Sequence, residues 1–557
     1  MLVTQTPTVV DKAIQGSRRQ RFAASRWWSI GGPVGVTLLA AVLRLQSLGH
    51  PASLMFDETF YVKDAWTMLN LGYEGSWPED PNPAFNAGQV DGFLTTASYP
   101  AHPPLGKWLI GLGIAALGPE NPAGWRLGVA VAGIIAVVLV MLIAQRLWHN
   151  PTLVVIAGGL LAIDGQAIVM SRLGLLDNFL MLFALLGFGA ILLDRAQSTR
   201  RLEEWLIRRS GPDGPPPWGP ALWARPWLVA AGLAFGLACA VKWSGLYLIA
   251  FFAVYVLASD ALARRRAGIR HWLSGTVLKQ GPVAFVLMVP IAVAAYLASW
   301  TGWFVTSGGY DRNWIATGGE RWTGLLAWVP DSLQNLWHWH AGIYAFHNGL
   351  SVGHPYATPA ILWPFLTRPT QIYYQGSAMG ENGCTWDYCS EIVWSIANPI
   401  LWWAACAAAL YLVYRFARYR DPRIGLILTG IAAGYLPWLL YPTRTMFQFY
   451  AIEFLPYLVL GLTAVLGLVL GSRMGSTRAV QPGAVDRALS SARADRLLAL
   501  VRTRIPESWR TPSVRRRFVI VFLALVVAVS AFFYPLWTGM QTPFWFWTLH
   551  IWLPTWQ

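Results

Sequence analysis

Stretches of about 20 apolar residues recur along this chain, and a helix of that length crosses the hydrocarbon core of a bilayer. Of the 557 residues, 55% are hydrophobic and only 12% are charged. Soluble globular proteins carry about 25% charged residues, so this composition excludes an ordinary soluble domain. The sequence therefore predicts an all-α polytopic membrane protein.

The apolar runs predict eleven membrane spans, at residues 29–47, 124–147, 152–170, 174–193, 226–241, 243–258, 278–299, 395–414, 424–440, 447–471 and 518–537. No small-residue cleavage site follows the first run, so we expect it to remain as a signal anchor. Residues 104–118 are apolar but too short to span, which favours an interfacial or re-entrant helix.

Lys and Arg indicate which ends of the spans face the cytoplasm. Five long segments contain 5, 6, 4, 4 and 11 of these residues, at 1–28, 194–225, 259–277, 415–423 and 472–517. The two long segments on the opposite side, 48–104 and 300–394, contain 1 and 3. This pattern predicts a cytoplasmic N-terminus and an extracytoplasmic C-terminus. It also accounts for the net charge of +15 without nucleic-acid binding.

These features predict six consecutive parts. They are a basic cytoplasmic N-terminus (1–28), a transmembrane core (29–299) with an outer loop (48–104) and the short helix (104–118), an extracytoplasmic cap rich in aromatic residues and His (300–394), transmembrane helices (395–471), a basic cytoplasmic loop (472–517), and the last helix with an interfacial aromatic tail (518–557).

Single cations lie at the outer mouths of most predicted spans, on turns that are otherwise apolar. Ionisable groups at membrane depth usually face a bundle interior or a cavity. Cations that converge on one cavity would bind an anion, and phosphate is the obvious ligand. The alternative is that each cation reaches lipid phosphate independently. The cations are Arg44, Lys107, Arg126, Arg172, Lys242 and Arg444.

An acidic stretch, MFDETFYVKDAW, follows the first span. In a helix over 57–68, Asp57, Tyr61 and Asp64 share one face. One interpretation is structural: Asp57 or Thr59 caps this helix, and Glu58 lies in its first turn. The other is catalytic, because a carboxylate at the edge of a cationic cavity can act as a general base toward a hydroxyl.

Three further motifs are candidates for the same site. AHPPLGK contains His102 before an elbow fixed by two prolines. In SRLGLLDN, Asp177 either contributes to the cavity or pairs with Arg172 and holds the hairpin. The cap contains four histidines, among them His347 and His354, but no HExxH pattern or cysteine pairing indicates zinc.

Two cysteines, Cys384 and Cys389, lie close together in the outer cap, where an oxidising exterior permits a disulfide. The chain also contains no P-loop or dinucleotide-binding fingerprint. We therefore expect no nucleotide site and no required cofactor, although a divalent cation near the acids stays open.

Seven motifs occur in order between residues 55 and 457: MFDETFYVKDAW, HPPLGK, GWR, SRLGLLDNFL, VKWSGLY, WHWHAGIYAFHNGL with HPY, and TRTMFQFYAIEFLPY. In this combination the chain resembles the protein O-mannosyltransferases, in particular their actinobacterial members. The resemblance implies a GT-C glycosyltransferase fold. It also implies transfer of mannose, with inversion, from polyprenyl-phosphate mannose to Ser or Thr of a secreted polypeptide at the outer face of the plasma membrane.

The resemblance assigns roles residue by residue. Asp57 matches the essential aspartate and would be the base, and Glu58 would orient the acceptor or the sugar. Lys107 and Arg126 also match family motifs and would bind the donor phosphate and sugar. By position rather than by motif, we expect Arg172, Lys242 and Arg444 to join them. Independently of the resemblance, we expect the acceptor cavity to include Tyr61, Asp64, His102, Asp177, His347 and His354.

The chain departs from the fungal and animal members because it lacks their large outer domain of MIR repeats. This leaves the source of peptide recognition open, although the family implies an acceptor that emerges from the Sec translocon. Two alternatives remain at this stage. One is a GT-C enzyme that glycosylates a lipid or a cell-wall glycan, and the other is a transporter or flippase with a charged vestibule.

Overall fold

The computed structural model describes residues 28–212, 214–472 and 511–557. The predicted basic segments 1–28 and 472–517 therefore lie almost entirely outside the described residues. The described chain is mostly helical, in agreement with the predicted fold class. In the first half the helices are α1 Trp28–Leu45, α2 Glu58–Leu71, α3 Asn82–Asn86, α4 Leu105–Leu117, α5 Pro122–Trp148, α6 Pro151–Ile163, α7 Gly165–Met170, α8 Asp177–Arg209 and α9 Pro226–Val241. In the second half they are α10 Gly245–Arg266, α11 Trp272–Gly275, α12 Gly281–Ser299, α13 Thr301–Val305, α14 Asp331–Gly349, α15 Pro399–Tyr419, α16 Pro422–Tyr435, α17 Leu455–Val469, α18 Pro512–Thr538 and α19 Phe544–Thr548.

Eight helical stretches among the described residues are long and apolar enough to cross a bilayer. They are α1, α5, α8, α10, α11 joined to α12, α15, α16 with its 3-10 extension, and α18. Four apolar helices are shorter: α4, α6, α9 and α17. Every predicted span overlaps one of these helices, and α4 is the predicted short helix. The number of crossings and their orientation remain predictions.

Two of the predicted spans are interrupted. The predicted span 152–170 is divided between α6 and α7 at Asp164, whose backbone is extended and whose carboxylate accepts the N–H groups of Ala167 and Asn398. The predicted span 447–471 begins as a 3-10 helix, Gln448–Glu453, before α17. The Gln166 amide donates to the carbonyls of Gln448 and Phe449, so the two interruptions support each other inside the bundle.

A small antiparallel sheet differs from the all-α prediction. Strands β1 Thr370–Ala378 and β2 Tyr388–Ser395 form a hairpin in the cap, and β3 Thr542–Pro543 pairs with β2. Both hairpin strands contain the aromatic and β-branched residues that favour strands. A disulfide joins Cys384 to Cys389, with Cα atoms 5.8 Å apart, at the start of β2. The pairing of β3 with β2 attaches the C-terminal segment to the cap.

Two glycines allow α9 to approach α12 closely. A Cβ at Gly232 would lie 2.4 Å from the Met288 carbonyl oxygen, and one at Gly236 would lie 2.5 Å from that of Ala292. Small residues at this four-residue spacing are typical of helix pairs in membranes. The close contact fixes α9, which ends at the functional cavity described below.

Two arginines cap helices reciprocally in the core. Arg44, near the end of α1, donates to the carbonyls of Leu161 and Ala162 at the end of α6. Arg172 follows α7 and donates to the carbonyls of residues 44, 46 and 47 at the end of α1. Both side chains are buried. Each therefore satisfies carbonyl groups that the other helix leaves without partners at its end.

A buried ion cluster holds α8, α9 and α10 together at the end remote from Asp177. Arg225 donates two hydrogen bonds to Asp194, at 3.0 and 2.5 Å, and one to Asp260 at 2.5 Å. Asp194 lies 17 residues beyond Asp177, about 26 Å along α8 at the helical rise. Arg264 extends the cluster to the carbonyl oxygens of Trp218 and Pro220 and to Gln280.

Candidate active site

A cavity of about 200 Å³ opens where α8 begins, α9 ends and α10 begins. Helix α14 and the segment between α16 and α17 complete its wall. Five of the residues predicted from the sequence line it: His102, Asp177, Lys242, His347 and Arg444. The remaining walls are largely aromatic and include Trp243, Tyr344, Trp438, Tyr441 and Tyr450. Polar groups therefore converge between largely aromatic walls.

Asp57 occupies the N-cap position of α2, but its side chain makes no capping hydrogen bond. The Thr59 hydroxyl does not cap the helix either, since it donates to Asn82 Oδ1 at 2.8 Å. Burial raises the pKa of Asp57 to about 6, with Lys242 lowering it and Asp177 raising it. The two charges that act on Asp57 both line the cavity. The geometry therefore does not fit the helix-cap interpretation of Asp57.

The two cations at the cavity differ in how they are engaged. Lys242 Nζ donates to Asp177 Oδ2 at 2.7 Å and lies 5.2 Å from the centre of the Tyr450 ring. Arg444 Nε donates to the His347 carbonyl at 3.0 Å. Within the described chain, Arg444 Nη1 is buried without a hydrogen-bond partner. Asp177 pairs with Lys242, and not with Arg172 as the structural alternative predicted.

The cavity histidines are neutral. His347 Nε2 lies 2.6 Å from the Ala101 carbonyl oxygen, and because a carbonyl only accepts, Nε2 carries the hydrogen. The pKa of His347 is lowered to about 4, mainly by burial and also by Arg444 and Lys242, although the hydrogen bond to the Ala101 carbonyl raises it. The His102 ring stacks on His347 at 5.0 Å, and burial also lowers its pKa well below the usual range. The positive charge at the cavity is thus that of Arg444 and Lys242.

Two predicted cavity residues lie at its margin. The Tyr61 ring is buried, with its centre 6.0 Å from that of His102. His354 is exposed, and its ring contacts Phe56 and Phe447 rather than the cavity wall. The predicted place of His354 in the cavity is therefore not supported by its contacts.

Glu58 and Arg126 form a closed pair, and their predicted contacts with substrate stay a prediction. Arg126 Nε and Nη2 donate to the two Glu58 oxygens at 2.8 and 2.9 Å, and both side chains are fully buried. Glu58 also accepts the N–H groups of Met55 and Gly174. Arg126 gives its remaining N–H groups to the carbonyls of residues 48, 51 and 53. Neither side chain keeps a group for a ligand.

Lys107 also has its charge compensated inside the protein. Its ammonium contacts Asp64 at 3.0 Å and Glu74 at 2.9 Å, and its side chain is inaccessible to solvent. These contacts leave the cavity without Lys107 or Asp64 among its lining residues, so their predicted roles in phosphate binding and in the acceptor cavity stay predictions. The same is true of Arg172, whose guanidinium donates to backbone carbonyls. The sequence pattern could not distinguish these cations from those that face the cavity.

One acid at the cavity was absent from the prediction. Glu453 ends the 3-10 helix before α17 and lines the cavity. We had included it in an apolar span, although a single acid in such a run is itself a signal of function. The described residues contain no group of three or more His, Cys, Asp or Glu side chains arranged to hold a metal ion. The expectation that no metal is required stays a prediction.

Comparisons with known proteins agree on one family. The family model for dolichyl-phosphate-mannose-protein mannosyltransferase matches residues 34–208, and that for the C-terminal four-helix membrane region of protein O-mannosyltransferases matches residues 332–556. A polyprenol-phosphate-mannose–protein mannosyltransferase of Mycobacterium tuberculosis is 35% identical over 96% of this chain and 92% of its own length. Its Mycolicibacterium smegmatis counterpart is 34% identical over 94% and 92%.

The fold is also that of a solved enzyme. The Saccharomyces cerevisiae protein O-mannosyltransferase Pmt1-Pmt2 complex bound to the sugar donor contains a chain that matches 95% of this one, over 92% of its own length, with a TM-score of 0.63 and 13% identity. The architecture is therefore the GT-C glycosyltransferase fold, and the transporter alternative is set aside. The chain belongs to the dolichyl-phosphate-mannose-protein mannosyltransferase family of multi-pass membrane glycosyltransferases.

Proposed function

We propose that this chain transfers mannose from polyprenyl-phosphate mannose to Ser and Thr hydroxyls of secreted polypeptides. The reaction takes place on the extracytoplasmic side of the plasma membrane. The names of the mycobacterial relatives, which specify a polyprenol-phosphate-mannose donor and a protein acceptor, support this proposal. The observation that carries it is Asp57, an uncapped carboxylate beside a cavity in which Arg444 has a buried N–H group without a partner.

Asp57 is the general base. Its raised pKa, about 6, brings it closer to neutral pH, where a base both accepts a proton readily and is still ionised. The acceptor oxygen forms a bond to the anomeric carbon while the bond from that carbon to the phosphate oxygen breaks. The hydroxyl proton goes to Asp57, and polyprenyl phosphate leaves. A single displacement of this kind inverts the sugar carbon.

Arg444 is the main phosphate ligand. Its Nη1 is free to donate, and charge-assisted hydrogen bonds from arginine to phosphate are among the strong ones. Lys242 lines the cavity but already donates to Asp177, so its charge is largely compensated and it attracts the phosphate less strongly than Arg444 does. The neutral imidazoles of His102 and His347 form the wall between them. A cavity that excludes water strengthens these interactions during reaction.

The closed ion pairs position the base. Glu58 follows Asp57 directly and is fixed by Arg126 and two backbone N–H groups. Lys107, Asp64 and Glu74 anchor the same helix, α2, to α4. A reacting group must be held within a fraction of an ångström of its productive position. These residues therefore act by holding α2.

The proposal includes no cofactor, since phosphate is already a good leaving group. The acceptor is a polypeptide that is being secreted, so we expect the Sec translocon to lie close to this enzyme in the membrane. A related proposal keeps the donor and replaces the protein with a lipid or cell-wall glycan acceptor. The protein acceptor is preferred because the names of the relatives specify it.

The test supplies radiolabelled polyprenyl-phosphate mannose to proteoliposomes that contain the full chain, with a Thr-rich peptide added outside or enclosed. We expect label on the peptide, removed by alkaline β-elimination, and only when the peptide faces the extracytoplasmic side. Orientation is measured independently by protease cleavage of a tag at one terminus. Label that appears only on lipid or glycan would show that the acceptor is not a protein and would support the related proposal instead. Absence of transfer to all acceptors, with folded protein, would refute the proposed function.

A further inference from the structure

Glu453 is a buried acid without a hydrogen-bond partner among the described residues, although the Ser244 hydroxyl lies close to its carboxyl group. Its side chain belongs to a residue that is 2% exposed, and neither carboxyl oxygen has a hydrogen-bond donor among the described residues. An acid buried in this way is costly unless a donor satisfies it. Because Glu453 lines the cavity, the missing donor can come from a molecule bound there.

The groups beside Glu453 are also unsatisfied. The hydroxyls of Ser244 and Tyr457 are buried and have no hydrogen-bond partner in the part of the chain that the structure describes. Ser244 lines the same cavity, and Tyr457 follows Glu453 by one helical turn. Most buried polar groups in proteins are satisfied. The unsatisfied oxygens of Glu453 and Ser244 in one cavity therefore indicate a ligand rich in hydroxyl groups.

The cavity presents two different kinds of polar group. Arg444 offers a free N–H group, and Glu453 offers two carboxyl oxygens without a donor among the described residues. The arginine attracts the phosphate of a donor substrate, whereas the carboxyl group does not. A sugar is neutral, and adjacent hydroxyls on its ring can donate to the two oxygens of one carboxyl group. The asymmetry of the cavity matches the asymmetry of a sugar phosphate.

We propose that Glu453 binds the sugar of the donor, by accepting hydrogen bonds from adjacent hydroxyls of a neutral hexose, with Ser244 as a second contact. This inference rests on the proposed function and assigns a residue for sugar recognition. It predicts that Glu453 distinguishes the glycosylated donor from the bare lipid phosphate.

The experiment measures binding of polyprenyl-phosphate mannose and of polyprenyl phosphate to the purified full chain and to Glu453→Gln. We expect the variant to lose about tenfold or more in affinity for the mannosylated donor and less than about twofold for the bare phosphate. Ser244→Ala should show a smaller loss of the same kind. Donors that lack one ring hydroxyl should identify the contact, because Glu453→Gln should no longer discriminate against the relevant deoxy donor.

Arg444→Lys is the matched control, and it should weaken binding of both ligands alike. Thermal unfolding shows whether each variant is folded, and Glu453→Gln should unfold at the same or a higher temperature, since it removes an unsatisfied acid. Equal affinity losses for the two ligands, or none, would overturn the assignment and leave a water-filled recess. Equal binding of the two ligands by the wild-type protein would also overturn the assignment to Glu453, whereas only a folded wild-type protein that transfers no mannose would refute the proposed function.

Discussion

The two ends of the α8–α10 bundle both contain buried charges, but they use them differently. At one end, the Arg225 guanidinium is hydrogen-bonded to the carboxylates of Asp194 and Asp260, which compensate its charge. At the other end, Asp57, Arg444 and Glu453 each retain an atom without a hydrogen bond among the described residues. One network is closed and the other is open toward a cavity.

The difference shows that burial alone does not identify a functional charge. A buried charge that is saturated by its neighbours stabilises the fold or specifies its geometry, and it has nothing left to offer a substrate. A buried charge with a free donor or acceptor costs stability and is retained for binding or chemistry. The Glu58–Arg126 pair is instructive because it lies beside Asp57 yet belongs to the closed class.

The largest expected effect separates these two adjacent acids. Asp57→Asn keeps the size of the side chain but removes the base, and we expect transfer to fall by about 10²–10⁴-fold. Binding of the donor and the temperature of unfolding should change little. The measurement is the initial rate of peptide labelling, together with donor binding to the same preparation.

Glu58→Gln is the control for Asp57→Asn, since it breaks the closed pair and should lower the unfolding temperature. Activity per folded molecule should fall much less than in Asp57→Asn. A variant Asp57→Asn that labels the peptide at the normal rate would show that the base lies elsewhere.

The second largest expected effect is a loss of folding stability when the Arg225–Asp194–Asp260 cluster is broken. Arg225→Ala leaves two buried carboxylates without their cation, which costs roughly 3–5 kcal/mol when a buried pair is broken. We expect much less folded protein and a lower unfolding temperature in detergent, with normal activity in the fraction that remains folded. Arg200→Ala, which removes an exposed pair with Glu204, should have no measurable effect. Equal unfolding temperatures for both variants would contradict the distinction between the two ends.

The third effect concerns the phosphate. Arg444→Lys retains the charge but loses the planar guanidinium, so we expect the KM for the donor to rise about 10-fold with a smaller change in kcat. Arg312→Lys is a suitable control, because Arg312 donates to carbonyls within the cap. A donor KM that is the same in both variants would remove Arg444 from phosphate binding.

The smallest effect is the pH dependence. Asp57 must be ionised to accept a proton, so kcat/KM should rise with pH through about 6, where its folded-state pKa lies. The same pKa shift affects stability. The ordinary pKa of Asp57 is 3.8, so its carboxylate binds a proton more tightly in the folded state than in the unfolded state. The contribution of Asp57 to the free energy of unfolding should therefore decrease as the pH rises from about 4 to about 6. Asp57→Asn should remove that contribution, as measured by unfolding temperature against pH.

The helical architecture could be predicted because apolar length is a property of each segment by itself. The interruption at Asp164 could not, because it depends on an amide of Asn398, which is 234 residues away. The cap sheet was missed for a related reason. Its strands lie among aromatic residues that we interpreted as interfacial, and β3 comes from the far C-terminus.

The candidate site was predicted in part. Lys242 and Arg444 could be selected because they are single cations on otherwise apolar turns, and Asp57 because it lies in an acidic stretch after the first span. Arg126, Lys107 and Arg172 carry the same local signal, but their partners lie on other segments. A sequence without contacts cannot show whether a cation is saturated. Glu453 gave a usable signal, an acid inside an apolar run, which we interpreted only as part of a span.

The reciprocal arginine caps have a consequence for the order in which this protein is made. The carbonyl of Gln46 is bound by Arg172, a residue that the ribosome adds 126 positions later. When α1 first enters the bilayer, its final carbonyls therefore have none of these intramolecular donors. A chain released after residue 46 but before residue 172 would contain α1 in the bilayer without the hydrogen bonds from Arg172. The N-terminal helix thus becomes a permanent part of the bundle only after α7 and the turn that follows it have been synthesised.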